Sequence, residues 1–73
     1  MTEAVDVARE LLASATGVSA EEIPLDAAIG NFSAWDSLAH MRLILLVEER
    51  ILRQLGPNEV VMIKSVSDIG KFL

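Results

Sequence analysis

The residues whose types and spacing could do chemistry are Asp36, Ser37 and His40, which follow Trp35 in the middle of the chain. Asp36 is a good helix N-cap, so Ser37 would open the helix that follows. Unpaired backbone N–H groups and the helix dipole favour a phosphate ester at such an end, by about 0.3–1 kcal/mol at an exposed site. The Ser37 hydroxyl is therefore a candidate attachment point for a phosphate-linked group. The simpler alternative is that Asp36 caps the helix and Ser37 only occupies its first turn.

A hydrolytic site built from Asp36, Ser37 and His40 is not expected, because the three residues lie too close together on one predicted helix. A triad needs its base to approach the nucleophile while the acid orients the base, which normally brings together distant segments. An Asp36/His40 metal pair lacks further converging ligands. We therefore expect neither an enzyme nor a metal site. For His40, the single histidine, we expect a packed or half-exposed structural role.

Composition and charge narrow the remaining classes of function. The 73 residues predict one domain spanning 1–73, and with 52% hydrophobic residues and no cysteine its stability must come from an apolar core. The net charge of −5 disfavours binding to nucleic acid. The longest apolar run, residues 43–47, is too short for membrane insertion, and no signal-peptide pattern opens the chain. We expect a monomer in the cytoplasm.

The hydrophobic pattern predicts a first helix from about Glu3 to Ala15, with Thr2 as its N-cap and Gly17 as its stop. Residues 17–36 then form a long loop. Ser19–Glu22 within that loop has a capping-box pattern and predicts one short helical turn. Long loops in small domains are often functional, and this one leads directly to Ser37.

The clearest predicted element is a second helix from Ser37 to about Gln54, ended by Gly56 and Pro57. At 100° per residue, one broad face is apolar and should pack on the core. Its members are Met41, Ile44, Leu45, Val47, Ile51, Leu52 and Leu55. The residues expected to face water beside the charged side are Leu38, Ala39 and Leu46.

Two further helices complete the prediction. Asn58–Ile63 is long enough for a short helix with Pro57 near its start. Ser65 gives a weaker capping signal for a last helix that ends with Phe72 and Leu73. The expected fold is an all-α bundle of three main helices and one short third helix.

Motif, helix order and length together resemble the acyl carrier and peptidyl carrier protein family over nearly the whole chain. The resemblance is carried by the Gly-Val turn and Ser-Ala-Glu-Glu-Ile segment at 17–23 and by the Asp-Ser-Leu motif at 36–38. Residues 45–49 of the second helix and 63–69 before the last helix extend it. It implies an acyl-carrier-protein-like four-helix bundle.

The resemblance also implies a cofactor, 4'-phosphopantetheine, which a phosphopantetheinyl transferase would move from coenzyme A to Ser37. Asp36 would help to hold Mg²⁺ during that transfer. The thiol of the arm would carry an acyl or aminoacyl group as a thioester. A loading ligase or acyltransferase would supply this cargo. Downstream enzymes of fatty acid, polyketide or nonribosomal peptide biosynthesis would receive it, aided by the raised local concentration of a tethered intermediate.

Enzyme partners of this family contact the second helix, and the matching positions here are Leu38, Arg42, Leu45, Glu48 and Glu49. Leu38 is the better recognition candidate, whereas Leu45 also falls on the predicted core face. For Glu48 and Glu49 the alternative is an ordinary solvated charge.

The chain departs from the family pattern at Ala34, where many members have glycine. It departs again at Ala39 and Arg42, where bacterial fatty-acid carriers often have acids. These departures point to a discrete carrier of a specialised pathway. Trp35 occurs before the motif in dedicated carriers of secondary metabolism, although it could equally anchor the loop on the bundle.

A helical interaction module without a cofactor is the competing function. It would dock a partner through exposed apolar residues such as Leu38 and Leu46, and it would not need Ser37 to be modified. Ser33 is a poor substitute for Ser37 as an attachment point because it does not open a helix.

Overall fold

The computed structural model describes residues 2–73, and the side chains from Glu3 onward. Its helices are α1 (Thr2–Thr16), α2 (Ser37–Ile51), α3 (Pro57–Met62) and α4 (Val66–Gly70), with a 3₁₀ turn at Ala20–Glu22. The predicted all-α bundle is confirmed, since the only extended pairing within residues 2–73 is an isolated bridge between Ala28 and Ser65. Within the same residues, no helix is both long and apolar enough to span a membrane. The predicted cap at Thr2 concerns a side chain outside those described.

The core lies where α1 packs against α2 and α4, the two helix pairs with the most extensive contact. Leu12 from α1, Leu43 and Val47 from α2, and Ile69 from α4 are all fully buried. Burial of a leucine or isoleucine side chain contributes about 1.5–3 kcal/mol, so this cluster supplies much of the stability of a chain without cysteine.

The long loop is fixed to the bundle at two places, near its start and in its middle. Arg9 of α1 donates from Nε to the Ile23 carbonyl (3.1 Å) and from a terminal nitrogen to the Ala20 carbonyl (2.8 Å). Ala27 and Ile29 pair with the segment before α4 through Val66 N–H to Ala27 O (3.0 Å) and Ile29 N–H to Lys64 O (2.8 Å). The loop therefore holds a defined position in front of α2.

The short turn at Ala20–Glu22 confirms the predicted helical turn, but not its cap. The Ser19 side chain makes no capping hydrogen bond. The turn is closed by the backbone, with Glu22 N–H donating to Ser19 O at 2.9 Å. Arg9 also holds it, through hydrogen bonds to the carbonyls of Ala20 and of Ile23, the residue after the turn. The hydrogen bonds from Arg9 of α1 thus stabilise the turn in place of the Ser19 cap that the pattern predicted.

The predicted end of α2 at Gln54 was wrong by three residues, because the helix stops at Ile51. Leu52 adopts the left-handed conformation (φ 62°, ψ 35°), which glycine normally supplies at this position. Gly56 and Pro57 begin α3 instead of ending α2. Because position 52 is a leucine and not a glycine, the end of α2 at Ile51 could not be recognised from the residue types.

The predicted core face of α2 was also wrong in part. Met41, Leu45 and Leu52 are exposed to 67%, 64% and 89%, whereas Ala39 and Leu43 are buried. Of the other predicted members, Ile44, Val47 and Leu55 are buried and Ile51 is half-buried, while Leu46 packs at the margin of the core. Because apolar residues surround most of this helix, its packing against α1 decides which of them are covered.

The last helix is shorter than predicted, so the bundle has two long helices and two short ones. Ser65 Oγ accepts the Asp68 N–H (3.1 Å) and Asp68 accepts the Lys64 N–H (3.0 Å), which confirms the capping signal. The Lys64 N–H lowers the pKa of Asp68 more than any other neighbour does. Beyond Gly70 the backbone tightens into turns, which bring Phe72 against the core.

Candidate functional site around Ser37

Ser37 is the first residue of the 15-residue helix α2, and its side chain is exposed. Asp36, in extended conformation (φ −99°, ψ −173°), caps the helix by accepting the Ala39 N–H on Oδ1 at 2.9 Å. The predicted cap and helix start are both confirmed. The Ser37 hydroxyl therefore lies at the positive end of a long helix, where solvent and a second protein can reach it.

Trp35 is almost fully buried, with 3% of its surface exposed. Its indole Nε1–H donates to His40 Nδ1 at 3.0 Å, and the two rings stack with centroids 6.0 Å apart and planes inclined by 28°. Burial and hydrogen bonding make Trp35 an anchor that fixes the chain immediately before Asp36. This position agrees with the expectation that Trp35 could anchor the loop on the bundle.

His40 connects the loop to α3, because its second ring nitrogen, Nε2, lies 3.0 Å from the Val60 carbonyl oxygen. An indole N–H can only donate, so Nδ1 must be the unprotonated nitrogen and Nε2–H must donate to Val60. The half-buried position predicted for His40 is confirmed. We name this chain of two hydrogen bonds, from Trp35 through His40 to Val60, the histidine bridge.

An open groove of about 470 Å³ adjoins the attachment point. Its walls are Ile29, Trp35, Asp36, Ser37, His40 and Met41. The volume falls within the range of roughly 300–1,000 Å³ typical of small-ligand pockets. The sequence did not indicate this groove, because Met41 was expected to pack on the core. Met41 and Ile29 are both exposed.

An exposed apolar row runs along α2 from the residue after Ser37. Leu38, Met41 and Leu45 are exposed to 58%, 67% and 64%, and their spacing puts them on one side of the helix. For Leu45, the alternatives were packing in the core and exposure as a contact residue. Its exposure excludes packing in the core. Arg42 and Glu49 are exposed as well.

Glu48 differs from the other four predicted contact residues because its carboxylate has a partner within the chain. It is half-buried, and Oε2 accepts the Leu55 N–H at 2.8 Å. The hydrogen bond ties the connection between α2 and α3 back onto α2. A structural role thus accounts for Glu48 without any partner protein.

Arg53 and Glu59 form an exposed two-pronged ion pair, with nitrogen–oxygen distances of 2.8 and 3.1 Å. Glu59 also accepts the Gly56 N–H at 2.9 Å, which caps the start of α3. Hydrogen bonding to Arg53 and then to Gly56 lowers the pKa of Glu59 to about 2. This carboxylate therefore remains charged well into the acid range.

Comparison with known proteins found no family model, curated protein or solved structure that matches this chain. Within residues 2–73, no three histidine or carboxylate side chains come together in a way that could hold a metal ion. What the site can do must therefore follow from its own residues. They present an exposed hydroxyl at the start of a long helix, beside an open and largely apolar groove.

Proposed function

We propose that this chain is a carrier of the acyl or peptidyl carrier type, and that Ser37 carries 4'-phosphopantetheine. The observation that carries the proposal is the exposed Ser37 hydroxyl on the first residue of α2, directly after the Asp36 cap. A phosphate ester at this point gains from the helix terminus. The helix order, with a short α3, supports the acyl-carrier-protein-like bundle that the sequence resemblance implies.

The residues present fit the cofactor. Ser37 Oγ is accessible to a transferase and would form the new bond to phosphorus, while the nucleotide part of coenzyme A leaves. The helix cap uses Oδ1 of Asp36, and a carboxylate has a second oxygen with which to help hold Mg²⁺ during the transfer. The groove beside Ser37 offers Ile29 and Met41 as apolar contacts for the arm.

The bound arm supplies a thiol for thioester formation, which a chain without cysteine cannot provide itself. The contribution of the chain is to hold the cargo on a rigid helix start and to offer a surface that enzymes recognise. Tethering raises the effective concentration of the intermediate at each enzyme to the millimolar range for a short flexible arm. Catalysis remains with the partners.

Recognition of those partners is assigned to the apolar row of Leu38, Met41 and Leu45, which begins beside the attachment point. Exposed apolar residues in a contiguous group are typical of protein interaction sites. Arg42 and Glu49 carry opposite charges, so docking here depends more on apolar contact than on attraction to a single charge. This mixed charge supports a specialised pathway over the housekeeping fatty-acid carrier.

The test is coexpression with a broad-specificity phosphopantetheinyl transferase, followed by mass spectrometry of the intact protein and of its peptides. We expect one phosphopantetheine on the peptide that contains Ser37 and none in Ser37→Ala. Ser33→Ala is the matched control, because Ser33 is exposed in the loop but does not open a helix. Absence of the modification in folded protein, with more than one transferase tried, would contradict the carrier function.

The exposed apolar row also favours the second candidate, an interaction module without a cofactor. The two functions differ in their dependence on Ser37. A module of this kind retains its partner in Ser37→Ala and loses it in Leu45→Ala. A carrier loses its function in Ser37→Ala because no cargo can be attached.

A further inference from the structure

Three open depressions meet at His40. The first is the groove at Ser37, of about 470 Å³. The second, of about 340 Å³, lies between the loop and α3 and includes Val60 and Val61. The third, of about 250 Å³, lies between α2 and α3 and includes Leu45 and Glu48. His40 is the one residue that lines all three, so its ring is their common wall.

Each depression reaches one residue of the hydrophobic core. Trp35 lines the first, Ile63 the second and Ile44 the third, and these side chains are exposed to only 3%, 0% and 8%. The His40 side chain is therefore the wall that separates the three depressions beside these core side chains.

The histidine bridge holds that side chain in place. Rotation of His40 away from the groove would break its hydrogen bonds to Trp35 Nε1–H and to the Val60 carbonyl. It would also leave the indole N–H of a nearly fully buried Trp35 without an acceptor, which is unfavourable. An apolar chain that enters between α2 and α3 gains nothing that replaces either hydrogen bond.

We propose that His40 is a specificity-determining residue, which keeps cargo tethered at Ser37 out of the bundle interior. The proposal rests on the carrier function proposed above. It names the cargo class as short acyl or aminoacyl groups, which lie in the open groove against Ile29 and Met41. Long apolar acyl chains are not enclosed and remain in contact with solvent.

The distances allow a tethered cargo to reach the third depression, between α2 and α3. Ile44 and Glu48, which line the third depression, lie seven and eleven positions after Ser37, or roughly 10 and 16 Å along the helix axis. An extended phosphopantetheine arm of about a dozen bonds spans roughly 15 Å. Exclusion from the interior is therefore due to the wall and not to the reach of the arm.

The test exploits the lack of cysteine in the chain. Ser37→Cys introduces one thiol, which can be alkylated with ethyl, hexyl or dodecyl iodoacetamide in the otherwise unchanged protein. Methyl and indole NMR spectra then report where each chain lies. We expect hexyl and dodecyl groups to shift the methyl signals of Ile29 and Met41. The methyl signals of the fully buried Leu43 and Ile63 should stay unchanged.

In His40→Ala, the same labelling should disturb the core. The dodecyl group, but not the ethyl group, should then shift the methyl signals of Leu43 and Ile63. His40→Ser is the second variant should the alanine variant fold poorly, because it also removes the ring. Met41→Ala is the matched control, since it removes a groove wall and leaves the histidine bridge intact. Core shifts with His40 present would overturn the proposal, and so would an undisturbed core in the alanine and serine variants.

The outcome is separate from that of the carrier test. The alkyl chain is attached without a transferase, so the position of the chain can be measured even if Ser37 is never modified enzymatically. Failure of the transferase reaction would remove the carrier function alone. Entry of a dodecyl chain past His40 would remove the proposed cargo specificity and leave the carrier function standing.

Discussion

Replacing Trp35 with Phe and His40 with Ala tests how much the histidine bridge contributes to stability. Phe keeps an apolar ring in the core but removes the indole donor, which costs about 1 kcal/mol for the hydrogen bond and about 1 kcal/mol for the smaller ring. His40→Ala removes both hydrogen bonds of the bridge. It also leaves the buried indole N–H unpaired, so we expect a cost of about 2–4 kcal/mol.

The double variant should cost less than the sum of the two single variants. Once Phe replaces Trp35, there is no buried donor left to lack an acceptor when His40 is removed. We therefore expect a coupling energy of about 1–2 kcal/mol between the two positions. A chain of this size has a free energy of unfolding of roughly 4–11 kcal/mol, of which either single variant is expected to remove about 2–4 kcal/mol.

Urea unfolding followed by far-ultraviolet circular dichroism is the suitable assay, because the single tryptophan is itself replaced in two of the four proteins. Two-state analysis gives the four free energies of unfolding that the cycle needs. Additive effects, with a coupling below about 0.3–0.5 kcal/mol, would refute the reasoning, since groups that do not interact behave in that way. The hydrogen bonds of the histidine bridge would then contribute nothing measurable to the free energy of unfolding.

Three further predictions concern other parts of the chain. Thermal unfolding should show Leu52→Gly to be more stable than Leu52→Ala by up to about 1 kcal/mol. The reason is that glycine adopts the left-handed conformation at this position without strain, whereas alanine does not. Equal stability of the two variants would argue against backbone strain at position 52. Glu59, whose pKa is lowered to about 2, contributes stability that is complete above the ordinary value of 4.5 and lost as the pH falls toward 2. Wild type and Glu59→Gln should therefore differ in urea midpoint near neutral pH and converge near pH 2, and a constant difference would contradict the assignment. Asp36→Asn keeps an N-cap and should change the free energy of unfolding by less than about 1 kcal/mol. It should nevertheless slow the transfer of phosphopantetheine to Ser37, which a mass-spectrometric time course would measure. An unchanged transfer rate would contradict the proposed role of Asp36 in holding Mg²⁺.

The start of the site could be predicted from the sequence because it depends on local chemistry. A capping carboxylate at 36 and a serine at 37 determine a helix N-terminus within a few residues, and the structure has that cap. The order of the helices followed from the same kind of local signal. The carrier function itself stays a prediction.

The groove and the bridge could not be predicted, because both depend on which side of α2 packs against α1. Met41 and Leu45 are as apolar as the buried Leu43, so their residue types do not distinguish exposed from covered positions. The partner of His40 is a backbone carbonyl at Val60, and every residue has one. Position in the fold, and not residue type, selects such a partner.

The attachment of α3 to the rest of the molecule has a consequence for local opening. None of its residues, Pro57–Met62, is fully buried. Polar contacts hold it beside α2: the His40–Val60 hydrogen bond, and the Arg53–Glu59 ion pair. Segments with few buried apolar contacts exchange their amide hydrogens through small openings that cost much less than global unfolding. The amides of α3 should therefore exchange well before those around Leu12 and Val47.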